Sequence, residues 1–220
     1  MNNTKANNKY DWAVFAYSFL LIAKLACQEL LLDEGQKKHN KATPPPNTPY
    51  KPADLFISIV FNIKHGIEVF IKTLGIFAYG TYNDNSHNIH SLFEDAKTKI
   101  SQLELKPIKT TGDTVSQKDI DNLPEDLNKI EELIEYFFTL DFLKSKIGTY
   151  HKIIDIKNDV FRYPDNSATV QITWDSVLHN QINEDDIKKL LEKLDQVYKL
   201  FSDKGYLFSV LDGRRTLNKE

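Results

Sequence analysis

The chain contains few of the residues that mark disulfide-rich, zinc-binding or phosphate-loop proteins. Its 220 residues include a single cysteine, Cys27, so it can form neither an intramolecular disulfide nor a cysteine-rich metal site. The eight glycines occur singly, which excludes a Gly-rich phosphate-binding loop, and neither a His-Glu-x-x-His zinc motif nor a nucleophile elbow is present. We therefore expect no metal, no cofactor and a reducing, cytoplasmic location.

Neither sign of charge is in large excess. The 28 basic and 31 acidic residues give a net charge of −3, and the mean hydropathy is −0.43. A non-specific nucleic-acid-binding surface is strongly basic, so this balance argues against one, although it is compatible with a local basic groove. A chain of this length that is 41% hydrophobic has enough apolar residues for one substantial core in a single domain.

The sequence also lacks an unbroken apolar run of the roughly 18 residues that a transmembrane helix needs. Its best candidate, residues 12–27, contains Lys24 and is followed by Gln28 and Glu29. Lys24 also stands where a lipoprotein signal has an aliphatic residue, three positions before the cysteine. We therefore expect a core helix here and no membrane contact.

Apolar residues at helical spacing predict five helices. N-cap residues, prolines and glycines place them at about 11–34, 53–80, 87–100, 124–147 and 184–204, with Ser86 and Asn183 as caps and Pro124 in the first position of its helix. The predicted fold is all-α, an up-and-down bundle of about five helices with a small β-hairpin insertion before the last helix.

This organisation predicts one helical-bundle domain over residues 11–205. Residues 1–10 form a disordered N-terminus, residues 36–52 a proline-rich loop, and residues 206–220 a C-terminal tail. The hairpin insertion is placed at residues 150–175, where apolar and polar residues alternate with the period of a half-buried strand.

The second helix is apolar on most sides, so its polar residues are candidates for function. His65, Glu68 and Lys72 share one face, and Lys64 is adjacent to it. The structural interpretation is a solvated stripe with a Glu68–Lys72 ion pair. The functional one is the wall of a polar groove between helices.

Two histidines, His87 and His90, stand three residues apart at the predicted start of the third helix, with Asn88 between them. Such a pair can contact a metal or a phosphate, but no third metal ligand is near in sequence. Free amides at a helix start also attract anions. The alternative is that these residues only cap and pack the helix.

Arginine is scarce, and Arg162 is the only one before the last few residues of the chain. Its planar guanidinium suits bidentate binding of a carboxylate or phosphate. A structural salt bridge explains it equally well.

Two of these segments together resemble the HEPN domain superfamily. Residues 64–75 read KHGIEVFIKTLG and residues 86–93 read SHNIHSLF. HEPN domains have a helix of the type x-E-x-x-(hydrophobic)-K-x-L-(L/G), followed after a loop by (S/T)-H-(D/N)-(L/I)-x-x-L. The resemblance covers about thirty residues directly, and the predicted helix order is compatible with the four- to five-helix bundle of that superfamily.

The resemblance implies a cytosolic protein, often dimeric, that binds a nucleotide or RNA in a cleft between helices and belongs to a toxin–antitoxin or defence system. Many members are metal-independent ribonucleases with an Arg-x(4–6)-His motif. After Arg162 the expected histidine positions hold Ser167, Ala168 and Thr169, so no catalytic residue is assigned here. The predicted ligand-binding residues are those that match the family pattern, together with two chosen for their chemistry: His65, Glu68, Lys72, His87, Asn88, His90 and Arg162.

Three functions are compatible with these observations. The first is a HEPN-like nucleotide- or RNA-binding protein without the usual ribonuclease motif. The alternative is a non-enzymatic helical interaction module that docks a protein partner, with a homodimer permitted by the long apolar first helix. The third is a metal-independent ribonuclease with an unusual set of catalytic residues. The first predicts that Lys72, His87 and Arg162 lie close together.

Overall fold

Five helices and a short pair of strands make up most of the part of the chain that the structure describes. The computed structural model describes residues 9–31, 52–80, 87–109, 114–139, 182–202, 207–208 and 210–211. In chain order the elements are α1 (Lys9–Leu31), α2 (Pro52–Tyr79), α3 (Ile89–Ser101), β1 (Ile108–Lys109), β2 (Thr114–Val115), α4 (Gln117–Phe138) and α5 (Glu184–Ser202). The prediction of a helical protein with five helices is confirmed.

The start of α4 differs from the prediction. The helix begins at Gln117, seven residues before Pro124, which lies inside it. Ser116 and Asp119 form a capping box, in which the Ser116 side chain accepts from the Asp119 amide and the Asp119 carboxylate accepts from the Ser116 amide at 2.9 Å. Pro124 is the eighth residue of the helix, so it removes the backbone hydrogen bond to the Ile120 carbonyl and its ring crowds that carbonyl. The capping box and the buried apolar face of the helix offset this cost.

The start of α3 also differs. Asn88, and not Ser86, is the N-cap, and its side-chain oxygen accepts from the backbone N–H of Ser91 at 3.1 Å. His87 therefore precedes the helix and is not part of its first turn. For α5 the predicted cap is confirmed, because the Asn183 side chain accepts from the amide of Asp186.

The core is built around α2, which packs against α1 on one side and α3 on another. Tyr10 of α1 contacts Phe77, near the end of α2, while Leu20 lies against Gly66, nearer its middle. The two helices are therefore antiparallel. A Cβ on Gly66 would lie 2.9 Å from Leu20, so the missing side chain is what allows this close approach.

The third helix runs in the same general direction as α2. His87, just before α3, contacts Glu68 in the middle of α2, and Asp95 of α3 bonds Tyr79 at the end of α2. Antiparallel neighbours would pair these residues in the opposite order. This pair of helices thus departs from the predicted up-and-down arrangement.

The predicted hairpin at residues 150–175, most of the proline-rich loop at 36–52, and Arg162 lie outside the described residues. The strand pair that is described is β1 with β2, which are antiparallel. Past the predicted domain boundary at residue 205, Leu207, Phe208, Val210 and Leu211 are buried in the core. The predicted tail therefore supplies core residues, and the ring of Phe208 packs on that of Phe77 in α2.

Helix α1 is long and apolar enough for a membrane span by length and composition alone, a property that core helices and signal sequences share. The helix is only partly enclosed by the rest of the protein: Ala16, Leu20, Ala23 and Cys27 are buried. Lys24 forms an ion pair with Asp195 of α5 at 2.6 Å, so its charge is compensated inside the bundle.

Candidate functional site

A buried carboxylate in the middle of α2 organises the candidate site. Glu68 is 2% exposed although its helix is otherwise mostly apolar. Lys72, one turn further on, donates to Glu68 Oε1 at 2.8 Å. A buried charge is costly unless it is paired and hydrogen-bonded, so the position of Lys72 is what makes Glu68 tolerable there.

His87 reaches the same carboxylate oxygen from the segment that precedes α3. Its Nδ1 lies 3.0 Å from Glu68 Oε1, and its side chain is 48% exposed. Because Lys72 and His87 bond one oxygen, their nitrogens are near neighbours. The imidazole is held through Nδ1, which leaves Nε2, on the far side of the ring, for contact with solvent or a ligand.

The fourth member of the group is His65, whose Nδ1 lies 3.9 Å from Glu68 Oε2. Its ring stacks on Phe61 and meets the edge of Phe19, with centroid separations of 5.6 Å and 4.5 Å. Aromatic contacts on two sides fix the orientation of this imidazole. We refer to His65, Glu68, Lys72 and His87 as the Glu68 cluster.

Lys64 lies one helical turn before Glu68, on the same side of α2. It is fully buried, and its Nζ lies 4.7 Å from the centroid of the Phe138 ring in α4. A cation over an aromatic face is stabilised by the ring quadrupole. The contact joins α2 to α4 beside the Glu68 cluster.

Asn88 and His90 have different surroundings from the ones predicted. The side chain of Asn88 caps α3, so one of the amides at the helix start is already bonded. His90 Nε2 is buried and has no hydrogen-bond partner among the described residues. Asn88 therefore caps the helix directly after His87, and His90 is a half-buried residue close to the cluster in sequence.

A second polar contact fixes the far end of α3 against α2. Tyr79 donates to Asp95 Oδ2 at 3.2 Å, and Lys99, which bonds the same carboxylate, lies over the Tyr79 ring. Burial raises the pKa of the Tyr79 phenol, and the nearby Lys99 opposes that shift. The two helices are therefore joined at both ends of their contact.

A groove of about 530 Å³ lies elsewhere, between α4 and α5. Carboxylates and ammonium groups both line it, including Asp126, Glu132, Lys193 and Lys199. No residue of the Glu68 cluster lines this groove. We place the candidate site at the Glu68 cluster, because there the polar groups converge on one point.

The structure thus brings together four of the seven predicted ligand-binding residues. His65, Glu68, Lys72 and His87 form one cluster, Asn88 caps the helix directly after it, His90 is close to it in sequence, and Arg162 lies outside the described residues. The aromatic clamp of Phe19 and Phe61 on His65 was missed, because no local pattern indicates which rings of α1 meet α2. In the described segments, no three His, Cys, Asp or Glu side chains are placed to hold a metal ion.

Comparisons with known proteins add no further assignment. The chain matches no family model, no curated protein and no solved structure.

Proposed function

We propose that the protein is a HEPN-like cytoplasmic protein of a toxin–antitoxin or defence system, which binds the phosphate group of a nucleotide or RNA at the Glu68 cluster. The observation that supports this is the convergence of Lys72 and His87 on one carboxylate oxygen. A pre-organised pair of cationic groups is what an anion site needs. The resemblance in sequence to HEPN domains supplies the ligand class.

The charge of the cluster explains how an anion is accommodated beside a carboxylate. Lys72 neutralises the charge of Glu68, and the buried Lys64 lies one helical turn before Glu68 on the same side of α2. The two histidines add further positive charge whenever their imidazoles carry a proton. The resulting excess of positive charge favours binding of an anion in addition to the Glu68 carboxylate. His87 is the contact residue, because it is half exposed while Lys72 is nearly buried.

The same arrangement gives His87 a support typical of imidazoles that act on ligands. A carboxylate bonded to one ring nitrogen fixes the orientation of the ring. The Arg-x(4–6)-His motif is nevertheless missing, so the proposal is binding without ribonuclease activity. RNA cleavage that is lost on His87→Ala would replace it with the nuclease alternative.

The experiment measures binding of fluorescently labelled ATP and of a short labelled RNA to the full chain, over a range of salt concentration. We expect saturable binding that weakens as the salt concentration rises. His87→Ala should weaken it at least tenfold. Lys188→Ala, which removes an exposed cation from α5, is the matched control and should have no effect. Absence of binding at low salt, or equal binding by His87→Ala, would contradict the proposal.

The second candidate is a non-enzymatic helical interaction module. The observation that favours it is the exposure of five large apolar side chains on α1. This observation is separate from the geometry of the Glu68 cluster.

A further inference from the structure

Two tyrosines that are distant in sequence meet where α1 packs on α5. The hydroxyl of Tyr198 in α5 donates a hydrogen bond to the hydroxyl of Tyr17 in α1. The centroids of the two rings are 4.7 Å apart, and the ring planes are tilted by 40°. Because the hydroxyls are in direct contact, the rings converge at their hydroxyl ends. The ring carbons next to the hydroxyls, the Cε atoms, therefore lie side by side.

This arrangement resembles the product of coupling between two phenols. When two phenols are joined through the carbons next to their hydroxyls, the rings are twisted against each other and the hydroxyls lie close enough for a hydrogen bond. The tilt of 40° and the contact between the hydroxyls of Tyr17 and Tyr198 have the same form. The rings therefore need to approach only slightly for a bond to form, and such pre-alignment makes the coupling effectively unimolecular.

We propose that Tyr17 and Tyr198 form an oxidative cross-linking site, where a one-electron oxidant, such as a haem peroxidase acting with hydrogen peroxide, joins them as dityrosine. Each phenol gives one electron to the oxidant and its hydroxyl proton to water. The two phenoxyl radicals form a bond between their Cε atoms, and the proton on each of these carbons is replaced by one on the oxygen. The chain thus loses two protons and two electrons, and the oxidant gains the two electrons.

A neighbouring ion pair fixes the register of the two helices at this site. Lys24, two turns after Tyr17 on α1, bonds Asp195, which lies three residues before Tyr198 on α5, at 2.6 Å. The Lys24 ammonium also lies over the Tyr198 ring, 4.9 Å from its centroid. A cation over an aromatic face is attracted by the ring quadrupole. The pair is therefore held in place from both sequences, and none of these contacts involves the Glu68 cluster.

The side chains that usually react first with oxidants compete little in this chain. Cysteine and methionine are the common targets of oxidation. The one cysteine, Cys27, is buried, and the one methionine is the first residue of the chain. Tyr10 is 58% exposed, but it packs on the ring of Phe77, which has no hydroxyl and does not couple in this way. Exposure alone would favour Tyr10, whereas geometry favours Tyr17.

The cross-link would join α1 covalently to α5 across most of the length of the chain. A bond between residues 17 and 198 closes a long loop and removes conformational freedom from the unfolded chain. The oxidised protein should therefore unfold at a higher urea concentration than the untreated one. The proposal is independent of phosphate binding, and failure of one leaves the other intact.

The test oxidises the dilute full chain with a photoactivated ruthenium complex and persulfate, which together form a small one-electron oxidant. After digestion with trypsin, mass spectrometry should find peptide 10–24 linked to peptide 194–199, with two hydrogen atoms fewer than the separate peptides. Tyr17→Phe and Tyr198→Phe should each lower the yield at least tenfold. Both side chains are partly exposed and each variant loses only a hydroxyl, so circular dichroism should show an intact fold.

Tyr10→Phe is the matched control, because it removes a more exposed phenol from the same tryptic peptide. It should leave the yield unchanged, and oxidation of the urea-unfolded chain should give little of the linked pair. An equal yield in urea would overturn the proposal, as would a cross-link that Tyr10→Phe removes and Tyr17→Phe leaves. Absence of the linked peptides from the native chain, or coupling only between separate chains, would overturn it as well.

Discussion

The Glu68–Lys72 pair makes a quantitative prediction about stability. Lys72→Met keeps the length of the side chain and removes its charge, which leaves the buried Glu68 carboxylate without its closest cationic partner. Breaking a buried pair by removing one member costs about 3–5 kcal/mol. Since His87 still lies 3.0 Å from the same oxygen, we expect the lower end, about 3 kcal/mol.

The double variant Glu68→Met, Lys72→Met separates the cost of an unpaired charge from the value of the pair. Two apolar side chains of similar volume need no charge compensation, so the double variant should recover most of the stability lost by Lys72→Met alone. His87, which is half exposed, can exchange its lost partner for water. The free energy of unfolding is measured by urea denaturation, followed by circular dichroism at pH 7.

The matched control is Lys188→Met in α5. Lys188 and Glu184 have the same i, i+4 spacing and the same 2.8 Å separation as Lys72 and Glu68, but both side chains are more than half exposed. We expect no measurable change from this control, because exposed pairs are screened by water. If Lys72→Met lowered the free energy of unfolding no more than Lys188→Met does, water would have to reach Glu68. The burial of the Glu68 cluster would then be contradicted.

Two further predictions concern α1. Gly66→Ala should destabilise the fold in spite of alanine's higher helix propensity, because the new Cβ would lie 2.9 Å from the buried Leu20 and 3.2 Å from the Ala16 carbonyl oxygen. In urea denaturation, adding Leu20→Ala should remove part of this destabilisation. A Gly66→Ala variant that is more stable than the wild type would contradict the close approach of α1 and α2. Burial, with a smaller contribution from Asp195, raises the pKa of the Cys27 thiol from 9.0 to about 12, so the native protein should not react with a thiol reagent at pH 8, whereas the urea-unfolded chain should. The unfolded thiol ionises first, so Cys27 stabilises the fold below pH 9, and this contribution should decline between pH 9 and about 12 relative to Cys27→Ala; rapid labelling of the native protein would refute the buried position.

The elements were predictable to the extent that local chemistry determines them. The apolar periodicity of α2 and α5 identified both helices, and Asn183 marked the start of the latter. The start of α4 was misplaced because Pro124 was taken as the first residue of the helix, whereas the helix begins after the Ser116 cap. The capping box satisfies two amides at that start, and Leu123, on the N-terminal side of Pro124, already belongs to the buried face.

The candidate site was predictable in composition but not in geometry. The i, i+4 spacing of Glu68 and Lys72 implied their contact. Whether the pair was solvated or buried depended on what covered it, and the covering residue, His87, comes from a segment 19 residues away. The direction of α3 decides that contact, and the sequence suggested the opposite direction.

The uneven packing of the helices has a consequence for how the native protein fluctuates. Among the described helices, α1 packs most extensively on α2 and next on α5, whereas α4 makes few contacts with the other described helices and borders the open groove beside α5. Cooperative units with little shared surface unfold locally at a lower free energy than the whole protein. Amide protons of α4 should therefore exchange with deuterium before those in the middle of α2, so that the α1–α2 pair outlasts the detachment of α4.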